Sequence, residues 1–435
     1  MKKHSRYIFF AILLMLSVSV QTFGAERFPP PEFDTDYQQP STTVPATRVI
    51  VLEYLDVVVL AGALVLATYL ALKKRSRKGI FALMIFSLVY FGFFRDGCIC
   101  SIGAIGNVTL SIFNSDYALP VSALLFFLLP LVFTLFFGRA FCGSVCPLGA
   151  IQDMVLLRPV SLPVWLAGSL RLCAYTYLAV AVVFAATSSA FLICRYDPFI
   201  AFFRLGGNIN MVIFGGCLLI IAVFVGRPYC RFLCPYGVIL RQFSRLSRRR
   251  VTITPDECIK CRLCEDACPF GAITKPTAPW SASEYTRSKR RLGIVIVLLP
   301  VLMALGIAIG YLTSSWASGG NATVRLAERI YMEETLAVAD RTDASLAFRA
   351  NVTTIKELYT LAGDIRGQFR IGFIFAGAFV GLVAGIKLIR LSIRWRRDEY
   401  EADKAGCFAC GRCFNYCPNE HVRLEKLNRI ADGSK

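Results

Sequence analysis

The chain has 435 residues, 56% of them hydrophobic, and a mean hydropathy of +0.56. That excess of apolar side chains excludes an ordinary soluble globular protein and identifies a chain solvated mainly by lipid. Its net charge of +19 sits at the ends of apolar runs and forms no stripe on a soluble domain, which excludes a nucleic-acid binder and reads as a topology signal.

In chain order, residues 1–25 carry a basic start, an apolar run and small residues near Ala25, the pattern of a signal peptide or of an uncleaved first helix. Residues 26–48 are a Pro-rich periplasmic linker. Residues 49–250 form a membrane domain, with apolar runs at Val49–Leu72, Ile80–Phe94, Leu119–Phe137, Leu170–Phe191 and Met211–Val225. Residues 251–280 are one half of a ferredoxin-like domain, 281–313 a transmembrane helix with a basic flank, and 314–370 a periplasmic helical hairpin. Residues 371–392 form a last transmembrane helix and 393–435 the second ferredoxin half. Within 314–370, Val324, Ala327, Ile330 and Leu336 repeat at helical spacing and predict two short helices.

Basic clusters follow the first run (Lys73, Lys74, Arg75, Arg77, Lys78) and the fifth (Arg241, Arg245, Arg248, Arg249, Arg250), precede the sixth, Leu292–Leu312, and follow the seventh, Ile371–Leu391. The positive-inside rule then gives one topology with both ferredoxin halves in the cytoplasm. The expected fold is an α-helical membrane protein of about six to seven transmembrane helices. It carries a two-cluster ferredoxin-like α+β domain assembled from two separate segments.

The stretch "DECIKCRLCEDACPFGA" places Cys258, Cys261, Cys264 and Cys268 in the order C-x2-C-x2-C-x3-C-P, and "GCFACGRCFNYCPNE" repeats it with Cys407, Cys410, Cys413 and Cys417. In two-cluster ferredoxins three thiolates of each run wrap one [4Fe–4S] cube and the fourth ligates the other. Cys258, Cys261, Cys264 and Cys417 are thus expected to hold one cluster, and Cys407, Cys410, Cys413 and Cys268 the second. Structural zinc also uses paired C-x2-C, yet seldom adds the third cysteine, the x3 gap and the proline.

The chain also repeats internally: the stretch from Phe137 aligns without gaps on that from Val225, an offset of 88 residues. The repeat predicts two helical hairpins facing each other about a pseudo-twofold axis. Each copy carries C-x3-C-P, so Cys142, Cys146, Cys230 and Cys234 would meet at the inner membrane boundary and hold a third [4Fe–4S] cluster. Arg139 and Arg227 are placed to offset its charge. Inert cysteines leave the repeat unexplained, and a disulfide suits a reducing compartment poorly.

On the opposite face stand Cys98, Cys100 and Cys194, for which a further iron–sulfur centre, with Asp96, Asp197 or water as fourth ligand, and a disulfide are both open. Cys173 and Cys217 read as ordinary buried cysteines. Only His4 and His421 occur, so a haem with paired histidine ligands has no residues to use, and no P-loop or dinucleotide fingerprint is present. Glu53 and Asp56 are either a proton relay or a solvated helix end.

With these residues the chain resembles the membrane-bound polyferredoxins of the NosR/NapH type, over roughly Phe81 to Pro418. The resemblance implies electron transfer at the bacterial inner membrane, between a cytoplasmic donor and a periplasmic flavoprotein or reductase. It also implies cluster ligation by Cys142, Cys146, Cys230, Cys234 and the eight ferredoxin cysteines. The large periplasmic flavin domain of the NosR members is missing, and "SGGNAT" at Ser318–Thr323 is a faint echo of a flavin-attachment site. Two other functions compete with the electron conduit: a periplasmic copper-type metal reductase working through the outer cysteines, and a redox-sensing regulator.

Overall fold

The computed structural model describes residues 50–97, 101–204, 206, 208–254, 258–277, 282–335, 341–350, 354–393 and 396–433. The signal and linker segments, Leu336, Cys98 and Cys100 lie outside the described residues.

Among the described residues, five helices are long and apolar enough to cross a membrane: Ile50–Leu72, Arg77–Phe94, Val164–Ala186, Ser283–Ser318 and Ile355–Ser392. Two of the seven apolar runs form shorter helices, Val121–Phe137 and Ile209–Ala222, and a further short apolar helix spans Ala104–Phe113. The first of these stops at Gly138, whose φ of 75° is left-handed and natural to glycine. Beyond the second, Arg227 is held at φ 50°, a conformation uncommon for a side-chain-bearing residue. An apolar run therefore marks a helix buried in lipid or protein, and does not say whether it crosses.

After each stop the two repeats make the same moves. A short turn, π-helical over Phe141–Val145 in one copy and helical over Pro228–Phe232 in the other, leads to a cysteine that caps the next helix. Those helices, Pro147–Met154 and Pro235–Arg245, begin with proline directly after Cys146 and Cys234. Proline suits a first helical position because the N–H it lacks would have had no partner there.

The helices Ala282–Ser318 and Ile355–Ser392, 37 and 38 residues long, run antiparallel as one hairpin. Glycines at four-residue spacing let the backbones touch: a Cβ at Gly377 would collide with the Gly306 carbonyl, and one at Gly381 with the Leu302 carbonyl. Small residues at such spacing are how membrane helices reach close van der Waals packing. A Gly377→Leu variant is expected to lose about 1–3 kcal/mol through overpacking, read as a lower melting temperature in detergent. Gly363→Leu on the same helix has open space around it and should leave the melt unchanged.

At the far end of the hairpin the helices Ala322–Thr335 and Asp343–Ala350 bury Val324, Ala327, Ile330 and Phe348 against Leu358 and Ala362. The second long helix starts earlier than its apolar run, at Ile355, because Thr354 and Glu357 form a reciprocal capping box.

Two helices of nearly equal length return the chain to its point of departure, where Ser288 donates to the Ser392 carbonyl at 2.7 Å. There the two cysteine-rich segments join. Strand β1 (Ile273–Thr274) pairs antiparallel with β2 (Glu401–Ala402), with Ile273 opposite Ala402. The Asp403 N–H donates to the Ala272 carbonyl at 2.7 Å, and the rings of Phe270 and Phe408 meet edge to face at 4.9 Å. One continuous core holds Leu64, Ile80 and Met84 of the membrane helices, Cys142 and Cys230 of the repeats, and Phe270, Phe408 and Phe414 of the joined segments.

Candidate functional site

The two C-x2-C-x2-C loops wrap because their backbones turn left-handed inside the motif, at Lys260 (φ 56°) and Arg262 (φ 68°) in one and at Ala409 (φ 54°) and Gly411 (φ 78°) in the other. Cys258, Cys261 and Cys264 thereby share one pocket with Cys417 of the other segment, beside Ile253 and Tyr400. Cys407, Cys410 and Cys413 share a second pocket with Cys268, beside Val251, Phe270 and Phe408. Each pocket thus draws three thiols from one segment and one from the other. Among the described residues no three His, Cys, Asp or Glu side chains gather tightly enough to hold a single metal ion. The thiols stand around pockets instead.

Backbone N–H groups point at sulfur: Ala272 donates to Cys268 Sγ at 3.5 Å and Ala409 to Cys407 Sγ at 3.4 Å. Burial pushes the Cys407 thiol up to about 12 and that of Cys264 up to about 11. Thiols so placed ionise at neutral pH only when a cation shares the site.

Cys142, Cys146, Cys230 and Cys234 are all buried. Burial pushes Cys234 well above its ordinary value, and Cys230, Cys146 and Cys142 add to that rise, so the four sulfurs lie within electrostatic reach of one another. Their arginines cross over. Arg227 of the second repeat donates to the carbonyls of Cys142 and, at 3.0 Å, of Gly143 in the first. Arg139 of the first repeat lies 3.7 Å from Cys142 Sγ and against Gly237 of the second. This reciprocity is the pseudo-twofold relation that the 88-residue offset predicts. Gln152 Nε2 approaches Cys230 Sγ at 3.5 Å, and the Gly237 N–H donates to Cys234 Sγ at 3.3 Å.

The joined segments sit directly on the repeats. A Cβ at Gly143 would collide with the Phe408 carbonyl, and one at Gly226 would lie 2.9 Å from the Pro269 carbonyl. Arg139 stacks over the Phe408 ring at 4.3 Å. Arg75 pairs with the buried Glu420 at 2.5 Å and donates to the carbonyls of Thr252 and Ile253. Arg77 donates to the Cys410 carbonyl at 2.8 Å.

Asp153, Gln152 and Glu420 were not singled out by sequence reasoning, and Arg75 was read only as one of a basic cluster. Asp153 is 4% exposed and pairs with Arg77 at 3.2 Å, Arg412 at 3.4 Å and Arg227 at 3.5 Å. Burial pushes its carboxyl up, but those three guanidiniums outweigh that and hold it below the usual carboxylate range. One signal was available: the 88-residue offset sets Asp153 against Arg241, a charge reversal two positions after the matched pair Ile151 and Ile239.

On the opposite face, Cys194 is exposed and forms no disulfide among the described residues. Asp197 is buried, accepts from the Phe199 N–H at 2.9 Å, and is raised by burial to about 6. Asp56 is not a solvated helix end. It is buried, paired with Arg95 at 2.8 Å and bonded to the Tyr90 hydroxyl at 2.8 Å. Cys173 is exposed on its helix, so it faces the surroundings of the bundle and is not a core cysteine.

Comparison with known proteins finds 4Fe–4S binding domains in this chain. A family model described as "4Fe-4S binding domain" matches residues 119–170 and 208–254, the two repeats, and a second of the same description matches 251–274. An uncharacterised protein of Methanocaldococcus jannaschii is 28% identical over 191 residues, 42% of this chain and 77% of that protein. The putative electron transport protein YccM of Escherichia coli is 28% identical over 34% of this chain and 46% of its own length. The regulatory protein NosR of Pseudomonas aeruginosa is 31% identical over 46% of this chain and 30% of its own. The chain therefore spans less than half the length of these last two relatives. No solved structure matches. With two repeats and a ferredoxin motif all falling under 4Fe–4S binding domains, the chain is similar to the membrane-bound 4Fe–4S ferredoxin proteins of the NosR/NapH type.

Proposed function

We propose that this protein relays electrons through protein-bound iron–sulfur clusters between a cytoplasmic donor and a periplasmic or membrane acceptor. The observation that carries the reading is the sharing of thiols between segments: each pocket collects four cysteines, three from one segment and one from the other. Cys258, Cys261, Cys264 and Cys417 would hold one [4Fe–4S] cluster, Cys407, Cys410, Cys413 and Cys268 a second, and Cys142, Cys146, Cys230 and Cys234 a third. A cubane supplies a reversible one-electron site whose potential responds to burial and to hydrogen bonds on sulfur. The chain provides both, through its buried thiols and the N–H groups of Ala272, Ala409 and Gly237.

Phe270 and Phe408 support a continuous route. They line the pocket of Cys407, Cys410 and Cys413, and also the cavity lined by Cys230 and Cys234. The rings of Phe270 and Phe408 thus border both thiol groups. Arg75 and Arg77, members of a basic cluster, contact the ferredoxin segments, which supports placing that end in the cytoplasm.

The test is iron and acid-labile sulfide per chain in anaerobically purified protein, with an EPR spectrum after reduction. About twelve irons per chain are expected from three cubanes. About eight would remove the third centre, and zinc in place of iron would overturn the reading.

A further inference from the structure

A cavity of about 170 Å³ opens where the helix Val164–Ala186 begins, between the helix Pro235–Arg245 and the ferredoxin segments. Arg139, Arg171, Arg231 and Arg241 line it, and Asp403 is the only carboxylate among the lining residues. Cys230 and Cys234 line it too, beside Arg139, so a cluster on those thiols would take up part of this charge, while Arg171, Arg231 and Arg241 still outnumber Asp403. The Nε of Arg241 is buried without a hydrogen-bond partner among the described residues, as is that of Arg139. Burial and the neighbouring Arg171 push Arg241 down to about 10. Lys387 of the long hairpin adds a further cation, its Nζ 5.0 Å from the ring centre of Tyr175, another lining residue.

We propose that this arginine-lined cavity binds the phosphate of an anionic phospholipid headgroup. Guanidinium forks match phosphate oxygens in pairs, and several around one cavity select a compact anion over a neutral ligand. The location selects lipid. Val164 and Ala167 of the wall belong to a helix long and apolar enough to cross a membrane. Trp165, next to Val164, is 70% exposed, and exposed tryptophan at a helix end marks headgroup depth. Basic pockets between membrane helices hold anionic headgroups for the same reasons.

Native mass spectrometry of the full chain, titrated with phosphatidylglycerol or phosphatidylcholine, tests it. Wild type should retain one phosphatidylglycerol about tenfold more strongly than phosphatidylcholine, roughly 1.4 kcal/mol. Arg171→Gln/Arg241→Gln should lose that preference while its iron content stays at the wild-type value. Competition by inorganic phosphate would keep the phosphate chemistry and assign it to a soluble ligand; no competition assigns it to lipid. Equal retention of both lipids by wild type without phosphate competition overturns the proposal, and so does an undiminished preference in the variant. Should the double variant not fold, the wild-type arm decides alone.

Discussion

Replacing Cys258 and Cys417 together with alanine should remove no more iron than replacing either alone, about four atoms per chain. The two residues lie in different motifs yet line the same pocket, so both changes strike one cluster. Under the alternative, in which each motif holds its own cluster, the double variant would lose about eight irons. The same logic applies to Cys268 with Cys407, which share the second pocket. Pairing Cys268→Ala with Cys258→Ala joins neighbours in sequence from different pockets, and here the losses should add. Non-additivity between distant residues and additivity between near ones is a pattern that general misfolding does not produce. Iron and sulfide analysis of the four single and three double variants decides the matter.

That experiment probes what was legible in the sequence. The C-x2-C-x2-C-x3-C-P runs are local, so their spacing could be read directly, and the crossing of the fourth cysteine follows from it. The meeting of the two segments was legible only as a requirement. Its means, a glycine-seamed hairpin of two long helices, stands in the sequence as Gly306 and Gly310 facing Gly377 and Gly381, a pattern that hydropathy alone passes over.

The number of long helices was less legible, because Val121–Phe137 is as apolar as any span and what ends it is the single torsion at Gly138. Least legible were the buried charges. Arg75 meets Glu420, and Asp153 meets Arg77, Arg227 and Arg412, all across long stretches of chain. Local periodicity carries no information about such partners.

Asp153→Asn is expected to destabilise the protein by about 3–5 kcal/mol, the usual consequence of leaving a buried charge without its partner. Arg227 is 0% exposed, and Asp153 is its ion-pair partner across the repeat interface. Arg77 and Arg412 would also lose their counter-charge, and Arg412 belongs to the second ferredoxin segment. The loosening should therefore reach the pocket of Cys407, Cys410 and Cys413 before that of Cys258, Cys261 and Cys264.

Arg227→Met in the Asp153→Asn background should recover only part of the loss. It removes the stranded charge, but it also removes the donor to the carbonyls of Cys142 and Gly143. The pH dependence fixes the cause. Because the folded-state carboxyl lies below the usual range, the stability it contributes is complete above about pH 4–5 and is lost only as pH falls through the depressed value. The gap between wild type and Asp153→Asn in apparent melting temperature should accordingly be flat across neutral pH and close only in acid. A gap that varied around neutrality would point to a titrating neighbour, and a gap near zero would mean that the three arginines find their counter-charge elsewhere.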